Sequence, residues 1–537
     1  MSDKADALLT LDSVSLTIHG TPVLHEISLQ VRQGQTLGII GESGSGKSMT
    51  ALSIMQLLPR GSDLSGSIRF AGQELNSLSE SALCELRGSD IGMVFQEPMT
   101  ALNPVKSIGD QVSESVRLHR RVSRREADTI AMKTLARVGL PNDKFPLSRY
   151  PHELSGGQRQ RVVIAIAVAC KPRLLIADEP TTALDVTTQA GILDLLAHLQ
   201  REEGLGLILI THDLAVVSNM ADDIVVMNDG HIVEQGELAG VFKSPENEYT
   251  QQLFAASALT QVQREPRIRS SGQNANPLLA VNELVCEYPL PRTGIFRPAR
   301  FFRAVDGVSF DIHEGESVGL VGESGCGKST LARALLGLMP VTSGTIELAG
   351  ESVSTRQQVS RASRQLMQVV FQDPYGSFNP RHKVGRLVSE PLHVLDKSLD
   401  QAETIYRVEQ VLLSVGMRTE DRDKYIHEFS GGQRQRIAIA RSLIINPGII
   451  ILDEAVSALD VSVRAQVLEL LDELASAQGL AYLFISHDLG VVQRVTDRVI
   501  VMRGGKVVEQ GNTADVFMHP QADDTKALIA ATPVLKL

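Results

Sequence analysis

Short apolar runs recur along this chain, each followed by a polar or glycine-rich segment. The runs Leu37–Ile40, Leu174–Ala177 and Leu207–Ile210 contain almost no polar side chain. Runs of this length without alternation are typical of parallel strands that are buried on both faces of a sheet. Segments with helical spacing lie between them, so the pattern predicts strands alternating with helices, which is the α/β class.

Two glycine-rich loops, residues 41–48 and 322–329, are each followed by apolar residues on one predicted helix face. These are Ala51, Ile54, Met55 and Leu58 after the first loop, and Leu331, Leu335 and Leu338 after the second. Proline cannot continue a helix, so we expect these two helices to be stopped by Pro59 and Pro340.

The second half of the chain repeats the first. GESGSGKS at 41–48 returns as GESGCGKS at 322–329, and LSGGQRQRV from Leu154 returns as FSGGQRQRI from Phe429. At 537 residues the chain is also too long for one hydrophobic core. We therefore predict two tandem domains, residues 1–258 and 278–537, joined by a polar linker at 259–277 that reads as exposed chain.

Composition narrows the function classes. The net charge is −11, which argues against a nucleic-acid backbone as the main partner. The four cysteines are scattered without a CxxC pair, so no zinc or iron–sulfur site is expected. Neither a signal peptide nor an apolar run of about 20 residues is visible, so we expect a cytosolic protein whose membrane role depends on a partner.

Both glycine-rich loops match G-x-x-x-x-G-K-[ST] between a strand and a helix, which is the context that a phosphate-binding loop requires. Backbone N–H groups at such a helix N-terminus bind phosphate, the lysine reaches the β- and γ-phosphates, and the serine ligates Mg²⁺. The predicted ATP-binding residues are Gly41, Glu42, Ser43, Gly44, Ser45, Gly46, Lys47 and Ser48 in the first half, and Gly322, Glu323, Ser324, Gly325, Cys326, Gly327, Lys328 and Ser329 in the second.

Acidic pairs end two apolar strands. Asp178 and Asp453 can hold Mg²⁺, and Glu179 and Glu454, which follow them, can orient the attacking water. Alone, such a pair is usually a solvated strand end; its recurrence at a fixed distance from the phosphate loop favours the catalytic interpretation.

Single polar residues follow other strands. Gln96 and Gln372 are predicted to contact the metal and the water, and His212 and His487 to contact the γ-phosphate. A lone histidine at a strand end is more often structural, but these two recur at the spacing of the two Asp–Glu pairs. The predicted Mg²⁺ ligands are thus Ser48, Gln96, Asp178, Ser329, Gln372 and Asp453.

Serine–glycine segments begin two further helices. Ser155, Gly156, Gly157 and Gln158, and likewise Ser430, Gly431, Gly432 and Gln433, offer a helix N-terminus to a phosphate. A capped helix start without a ligand has the same local structure, so these residues alone leave both interpretations open.

Together these motifs resemble the ATP-binding cassette (ABC) family, over nearly the whole chain. The resemblance implies two P-loop NTPase domains, each with a RecA-like core, a helical subdomain and an antiparallel β subdomain. It also implies head-to-tail packing, in which ATP on one phosphate loop is closed over by the serine–glycine signature of the other half. The segments TALD, Thr182–Asp185, and SALD, Ser457–Asp460, match the part that crosses this interface.

A closer resemblance is to the oligopeptide/dipeptide importer ATPases in a fused, tandem form. It rests on VFQEPMTALNP and VFQDPYGSFNPR, whose residues 96–104 and 372–381 we call the glutamine loops, and on RYPHELSGGQRQR and KYIHEFSGGQRQR. SPENEYTQQLF resembles that group's C-terminal extension, a pattern mostly lost in HPQADDTKAL. The implied partners are two membrane permease subunits and a periplasmic solute-binding protein. The resemblance also implies that the chain itself lies at the cytoplasmic face of a bacterial inner membrane.

The two halves depart from each other at the adenine. Tyr288 occupies the place where the family stacks an aromatic ring, while Ile18, followed by His19, holds that place in the first half. Base stacking on an aromatic is worth about 1–3 kcal/mol, so we expect unequal nucleotide affinity.

Other tandem ABC proteins remain as alternatives. A tandem ABC protein of translation or DNA repair usually carries a long charged linker or a zinc-binding cysteine cluster, and this sequence shows neither. A sugar importer ATPase usually has one degraded phosphate loop or signature, whereas both copies are intact here. The transported substrate stays open between peptides, glutathione, nickel, opines and peptide antibiotics.

Overall fold

The computed structural model describes residues 7–96, 98–182, 184–259, 276–290, 300–353, 359–373, 376–395, 399–457 and 459–535. The chain divides into two compact units, Met1–Ala255 with Pro533–Leu537, and Ala256–Thr532. Most of the predicted linker lies outside the described residues, so the boundaries 1–258 and 278–537 stay a prediction.

The first unit begins with two antiparallel strands and then alternates strands with helices. Its strands are β1 (Ala7–Ile18), β2 (Thr21–Arg32), β3 (Thr36–Ile40), β4 (Ser62–Phe70), β5 (Gln73–Glu74), β6 (Ile91–Val94), β7 (Leu174–Asp178), β8 (Gly206–Ile210), β9 (Asp223–Asn228) and β10 (His231–Glu237). Its helices are α1 (Lys47–Ile54), α2 (Glu80–Leu86), α3 (Pro98–Ala101), α4 (Ile108–Arg120), α5 (Arg124–Arg137), α6 (Gly156–Val168), α7 (Val186–Glu203), α8 (Leu214–Met220), α9 (Leu238–Lys243) and α10 (Glu248–Leu259).

The second unit repeats this order. Its strands are β11 (Leu279–Pro289), β12 (Phe301–Ile312), β13 (Ser317–Gly322), β14 (Ser343–Leu348), β15 (Glu351–Ser352), β16 (Met367–Val370), β17 (Ile449–Asp453), β18 (Ala481–Ile485), β19 (Arg498–Arg503) and β20 (Lys506–Asn512). Its helices are α11 (Lys328–Leu335), α12 (Arg361–Leu366), α13 (Val384–Ser389), α14 (Gln401–Ser414), α15 (Gly431–Leu443), α16 (Val461–Gln478), α17 (Leu489–Val495), α18 (Thr513–Met518) and α19 (Asp523–Ala530).

A six-stranded sheet forms the core of each unit. The orders are β10-β9-β3-β8-β7-β6 and β16-β17-β18-β13-β19-β20, with every neighbouring pair parallel except the last hairpin. All residues of β3, β7 and β8 are buried, which confirms the three predicted parallel strands. Because parallel strands end at one edge, the residues that follow β3, β6, β7 and β8 converge there.

A second, four-stranded antiparallel sheet accompanies each core sheet. Its orders are β2-β1-β4-β5 and β12-β11-β14-β15. Helices α4 and α5 pack on each other and on α6 in the first unit, and α13, α14 and α15 do so in the second. The predicted α/β fold class, with a core, an antiparallel β part and a helical part in each domain, is confirmed.

Helices α1 and α11, which follow the phosphate loops, end at Ile54 and Leu335, about one turn before the ends that we predicted from Pro59 and Pro340. Gln56 and Gly337 adopt left-handed backbone, at φ 51° and 68°. The N–H of Leu57 then donates to the carbonyl oxygen of Leu52 at 2.9 Å, and the N–H of Leu338 donates to the carbonyl oxygen of Arg333 at 2.8 Å. This six-to-one bond is a Schellman cap, so backbone geometry stops the helices before the prolines are reached.

The C-terminal extension is built alike in both units although its sequence pattern is not. The carboxylate of Glu234 accepts the backbone N–H groups of Glu246 and Asn247, at 2.9 and 3.2 Å. Glu509 accepts the backbone N–H groups of Gln521 and Ala522 in the same way, at 2.8 and 3.0 Å.

No helix in the described ranges combines the length and the apolar character that crossing a bilayer requires.

Candidate functional site

The phosphate loops lie between β3 and α1 and between β13 and α11, as the motif requires. Gly41 and Gly322 have φ of 150° and 151°, and a Cβ at either would lie 2.2 Å from the backbone oxygen of Met227 or Met502. No other residue type fits there without moving the neighbouring strand end. The glycines therefore serve a close backbone approach as well as phosphate binding.

Both lysines of these loops are buried and turned onto the loop itself. Lys47 Nζ donates to the carbonyl oxygens of Gly41 and Glu42, at 2.8 and 2.7 Å. Lys328 Nζ donates to those of Gly322 and Glu323, at 2.7 and 3.0 Å. The ammonium groups thus close each loop into a ring, and they lie where an incoming phosphate would compete for them.

The two loops differ at one buried neighbour of the lysine. Ser45 Oγ lies 3.4 Å from Lys47 Nζ, whereas Cys326 Sγ lies 3.8 Å from Lys328 Nζ. Burial raises the pKa of the Cys326 thiol, an effect that the charge of Lys328 opposes in part. The thiol therefore acts as a small buried group.

Asp178 and Asp453 end β7 and β17 beside the phosphate loops. Burial raises the pKa of both carboxyls; Ser48 lowers that of Asp178 in part through a hydrogen bond, and the adjacent glutamate raises each further. One oxygen of each aspartate, Oδ1, is buried without a hydrogen-bond partner. A buried carboxylate oxygen without a hydrogen-bond partner costs free energy, and a bound cation would offset that cost.

That orphaned oxygen, together with a serine hydroxyl at Ser48, suits Mg²⁺, which takes oxygen ligands and uses few from the protein. Within the described residues no group of three or more His, Cys, Asp or Glu side chains forms a metal cage of its own. Ser329 is exposed on the first turn of α11. The donor set therefore fits a cation shared with phosphate rather than one held by the protein alone.

Glu179 is the meeting point of three polar side chains at the sheet edge. Gln96 Nε2 donates to its Oε2 at 3.0 Å, Thr182 Oγ1 donates to the same oxygen at 2.8 Å, and His212 Nδ1 lies 3.3 Å from its Oε1. Burial alone would raise the pKa of Glu179, but the hydrogen bond and charge of His212, with Thr182 and Lys47, hold it at about 2. This carboxylate is therefore ionised at neutral pH.

Glu454 has fewer partners in the second unit. His487 Nδ1 lies 3.5 Å from its Oε1, and this contact lowers the pKa of Glu454 against the effect of burial. Ser457, at the place of Thr182, donates to the backbone oxygen of Glu454 at 2.8 Å instead of to the carboxylate. Among the described residues no hydrogen bond joins Gln372 to Glu454. The two glutamates thus share backbone geometry, with φ of 46° and 51°, but not the same set of donors.

Sequence patterns did not reveal the hydroxyl contact of Thr182. Its segment was noted for a different reason, the interface between halves, and Ala183 and Ala458 of the TALD and SALD segments lie outside the described residues. Asp185 caps α7 by accepting the N–H of Thr188 at 3.0 Å. The sequence signal that could have predicted this contact is a hydroxyl residue, Thr182, three positions after Glu179.

The serine–glycine signatures begin α6 and α15 as capping boxes. Ser155 Oγ accepts the N–H of Gln158, and the Gln158 side chain accepts the N–H of Ser155 at 3.0 Å. Ser430 and Gln433 do the same, at 3.1 Å for the return bond. Both serines are exposed, so each helix N-terminus is open to an anion.

Ile18 and Tyr288, the two positions predicted to face adenine, are equivalent in the two folds. Ser13 and Glu283, five residues before Ile18 and Tyr288, both take left-handed backbone on β1 and β11, at φ 50° and 47°. Tyr288 is 38% exposed, and its hydroxyl lies 3.4 Å from Thr330 Oγ1 on α11. Ile18 packs against the apolar core of the first unit, so only the second unit offers an open ring at this place.

Comparison with known proteins agrees with this geometry. Residues 24–182 and 305–457 match the ABC transporter family. The chain is 45% identical to the glutathione import ATP-binding protein GsiA of Salmonella choleraesuis (strain SC-B67), over 99% of this chain and 91% of that protein. It is 45% identical to the peptidoglycan transport ATP-binding protein YejF of Agrobacterium fabrum (strain C58), over 98% and 96%.

The ATP-binding cassette MJ0796, in a dimeric post-hydrolysis state bound to ADP and Pi, is 25% identical with a TM-score of 0.39, over 44% of this chain and 98% of that one.

Proposed function

Because this chain belongs to the ABC transporter family, with a match in each half, we propose that it is the ATP-hydrolysing subunit of a bacterial importer of oligopeptides or dipeptides. The chain is an ATP-binding protein and an ATPase. The observation that carries the proposal is the duplicated site: both units hold a phosphate loop, an Asp–Glu strand end, a histidine and a signature helix. The chain is 45% identical, over nearly its full length, to a glutathione import and a peptidoglycan transport ATP-binding protein, and this similarity supports import as the process.

The phosphate loops bind the triphosphate of ATP. Their N–H groups and the first turns of α1 and α11 attract the anion, and Lys47 and Lys328 exchange loop carbonyls for phosphate oxygens. Ser48 and Asp178, with Gln96, would hold Mg²⁺ in the first unit, and Ser329, Asp453 and Gln372 in the second. Bound there, Mg²⁺ neutralises charge that develops on the phosphates.

Glu179 and Glu454 orient the water that attacks the γ-phosphate. With a pKa of about 2, Glu179 is too weak a base to hold a proton at neutral pH, so it accepts a hydrogen bond and aligns the water oxygen. His212 and His487 lie beside these glutamates and would contact the γ-phosphate. Rate enhancement then comes from positioning and charge.

The signature helices also take part in ATP binding in this proposal. The signature residues Ser155–Gln158 and Ser430–Gln433 would bind ATP phosphate at the exposed N-termini of α6 and α15. ATP-driven closure would act on two membrane permease subunits through the glutamine loops, and hydrolysis would release it. A periplasmic solute-binding protein would deliver the solute, and the chain would sit on the cytoplasmic face of the inner membrane through its permeases.

Purification of the chain with its permeases tests the proposal. ATP hydrolysis by the reconstituted complex is measured with solute-binding protein and either a dipeptide, an oligopeptide or glutathione. Stimulation by a peptide is expected, and Lys47→Ala and Lys328→Ala should each abolish most of it. Co-purification with ribosomes, without stimulation by any solute, would overturn the importer assignment; stimulation by glutathione alone would overturn the peptide assignment.

A further inference from the structure

An arginine on the signature helix of the second unit holds part of the second glutamine loop. In the second unit, Arg441 on α15 donates from Nη1 to the backbone oxygen of Ser377 at 3.0 Å and from Nη2 to Ser377 Oγ at 3.1 Å. Its guanidinium carbon lies 4.7 Å from the ring centroid of Phe378, which is 5% exposed. One side chain thus holds this loop by two directed hydrogen bonds and a cation–π contact.

The charge of Arg441 is partly desolvated in this position. Desolvation lowers the pKa of Arg441, while the charge of Glu390 opposes the change. Arginine remains charged in proteins, so its hydrogen bonds to Ser377 are charge-assisted. Such contacts depend on distance and angle, so the loop cannot slide along α15 without breaking them.

The first unit lacks this arrangement. Ile166 on α6 stands at the place of Arg441, and Leu102 at the place of Phe378; both belong to one apolar cluster. Apolar packing has no preferred direction, so it permits small shifts of the loop over α6.

A different side chain holds the first glutamine loop. Gln111 on α4 is 9% exposed; its Oε1 accepts the N–H of Asn103 at 2.8 Å, and its Nε2 donates to the backbone oxygens of Asn103 and Lys106 at 3.1 and 3.0 Å. Leu387, buried in the apolar core, occupies the equivalent place in the second unit. Gln111 thus gives the first loop a polar attachment to α4 that Leu387 cannot give the second.

This difference matters because α15 begins with the signature Ser430–Gln433, whereas α4 carries no signature. We propose that Arg441 is a positioning residue that makes the second glutamine loop and the signature helix α15 move as one body. In the first unit, Gln111 on α4 holds the glutamine loop by hydrogen bonds, and Ile166 and Leu102 belong to the apolar cluster that packs around α6. The transport consequence rests on the proposed function: a permease that displaces the second loop would displace Ser430–Gln433 directly.

Hydrogen–deuterium exchange on the full chain, without partners, tests the attachment. Arg441→Met should speed amide exchange in residues 376–382 by about tenfold, as expected for the loss of a charged hydrogen bond, and leave residues 98–106 unchanged. Gln111→Leu, which installs the residue of the second unit, should do the reverse. Unchanged protection of 376–382 in Arg441→Met, or equal loosening of both loops by each variant, overturns the proposal.

Two further variants keep the test decisive if Arg441→Met does not fold. Phe378→Leu installs the residue of the first unit and should loosen the same segment, because it removes the ring but keeps an apolar contact. Arg441→Lys retains the charge without the two-pronged geometry, so it should restore only part of the protection. Full protection in Phe378→Leu and in Arg441→Lys would show that the guanidinium contacts do not hold the loop.

ATP hydrolysis with and without permeases tests the consequence. Arg441→Met should lower the ratio of permease-stimulated to basal hydrolysis by about threefold or more, with ATP affinity and basal rate near wild type and Arg441→Lys intermediate. An unchanged ratio overturns the coupling role. Absence of stimulation in the wild-type complex would instead count against the importer function, and it would leave the exchange result untouched.

Discussion

The Nδ1 atom of His212 lies 3.3 Å from Oε1 of Glu179, and the equivalent atoms of His487 and Glu454 are 3.5 Å apart. An ionised carboxylate only accepts hydrogen bonds, so Nδ1 carries the hydrogen at this contact. In the neutral ring Nε2 is then an acceptor, and it can donate to a phosphate oxygen only as imidazolium. In the proposed mechanism, one imidazole ring would therefore contact both the glutamate and the γ-phosphate.

Replacement of the glutamates should separate binding from turnover. Glu179→Gln and Glu454→Gln keep the side-chain volume but remove the charge that aligns the water, so each should still bind ATP and lose at least about 100-fold in hydrolysis at its own site. Equilibrium ATP binding and single-turnover hydrolysis check this. Glu202→Gln, at the exposed side of α7, serves as the control; normal turnover in both single variants and in the double variant would contradict the assignment.

The hydroxyl of Thr182 should matter more than that of Ser457. Thr182→Val removes a donor 2.8 Å from the Glu179 carboxylate, which is expected to lower turnover at the first site about 2- to 10-fold. Ser457→Ala removes only a bond to backbone and should change the second site less. Each variant is measured with the other unit inactivated by its Glu→Gln change; equal losses at both sites would show that the carboxylate contact is irrelevant.

Nucleotide affinity should differ between the units because of one ring. Tyr288→Ala is expected to weaken ATP binding at the second site by about 1–3 kcal/mol, and Ile18→Tyr to strengthen the first. Tyr288→Phe keeps the ring and should bind like wild type. Titration with a fluorescent ATP analogue, in chains whose other phosphate-loop lysine is replaced by alanine, measures each site; loss in Tyr288→Phe equal to that in Tyr288→Ala would refute stacking.

Thiol reactivity should separate the cysteines by burial. Cys84 is exposed, whereas Cys286 is buried and burial raises its pKa to about 11, so only about one Cys286 thiol in a thousand is ionised at pH 8. In the native chain iodoacetamide at pH 8 should modify Cys84 first. The raised pKa means that the thiolate fraction of Cys286 rises about tenfold with each pH unit and reaches one half only near pH 11. Mass spectrometry of peptides after timed quenching provides the measurement, and denatured chain, where all four should react, provides the control.

Local signals in the sequence were sufficient for much of this protein. The strand around Leu37–Ile40, the loop Gly41–Ser48 and the start of α1 are adjacent in the chain, so their burial and backbone preferences are set within a few residues. Repetition then made the second unit predictable from the first. Both helix ends were predicted too late: Gln56 adopts left-handed backbone that its residue type does not favour, whereas Gly337 did offer the glycine signal for such a cap.

Contacts between distant segments were decided only by the tertiary structure. Gln96, Thr182 and His212 meet at Glu179 because β6, β7 and β8 end at one sheet edge, and sequence spacing does not say which donor reaches which oxygen. The attachment of the second glutamine loop by Arg441 depends likewise on two helices and a loop packing at fixed distances. By itself the sequence determined the chemistry at each strand end; the packing of strands and helices decided which side chains share a hydrogen bond, because such bonds form only within about 3 Å and at narrow angles.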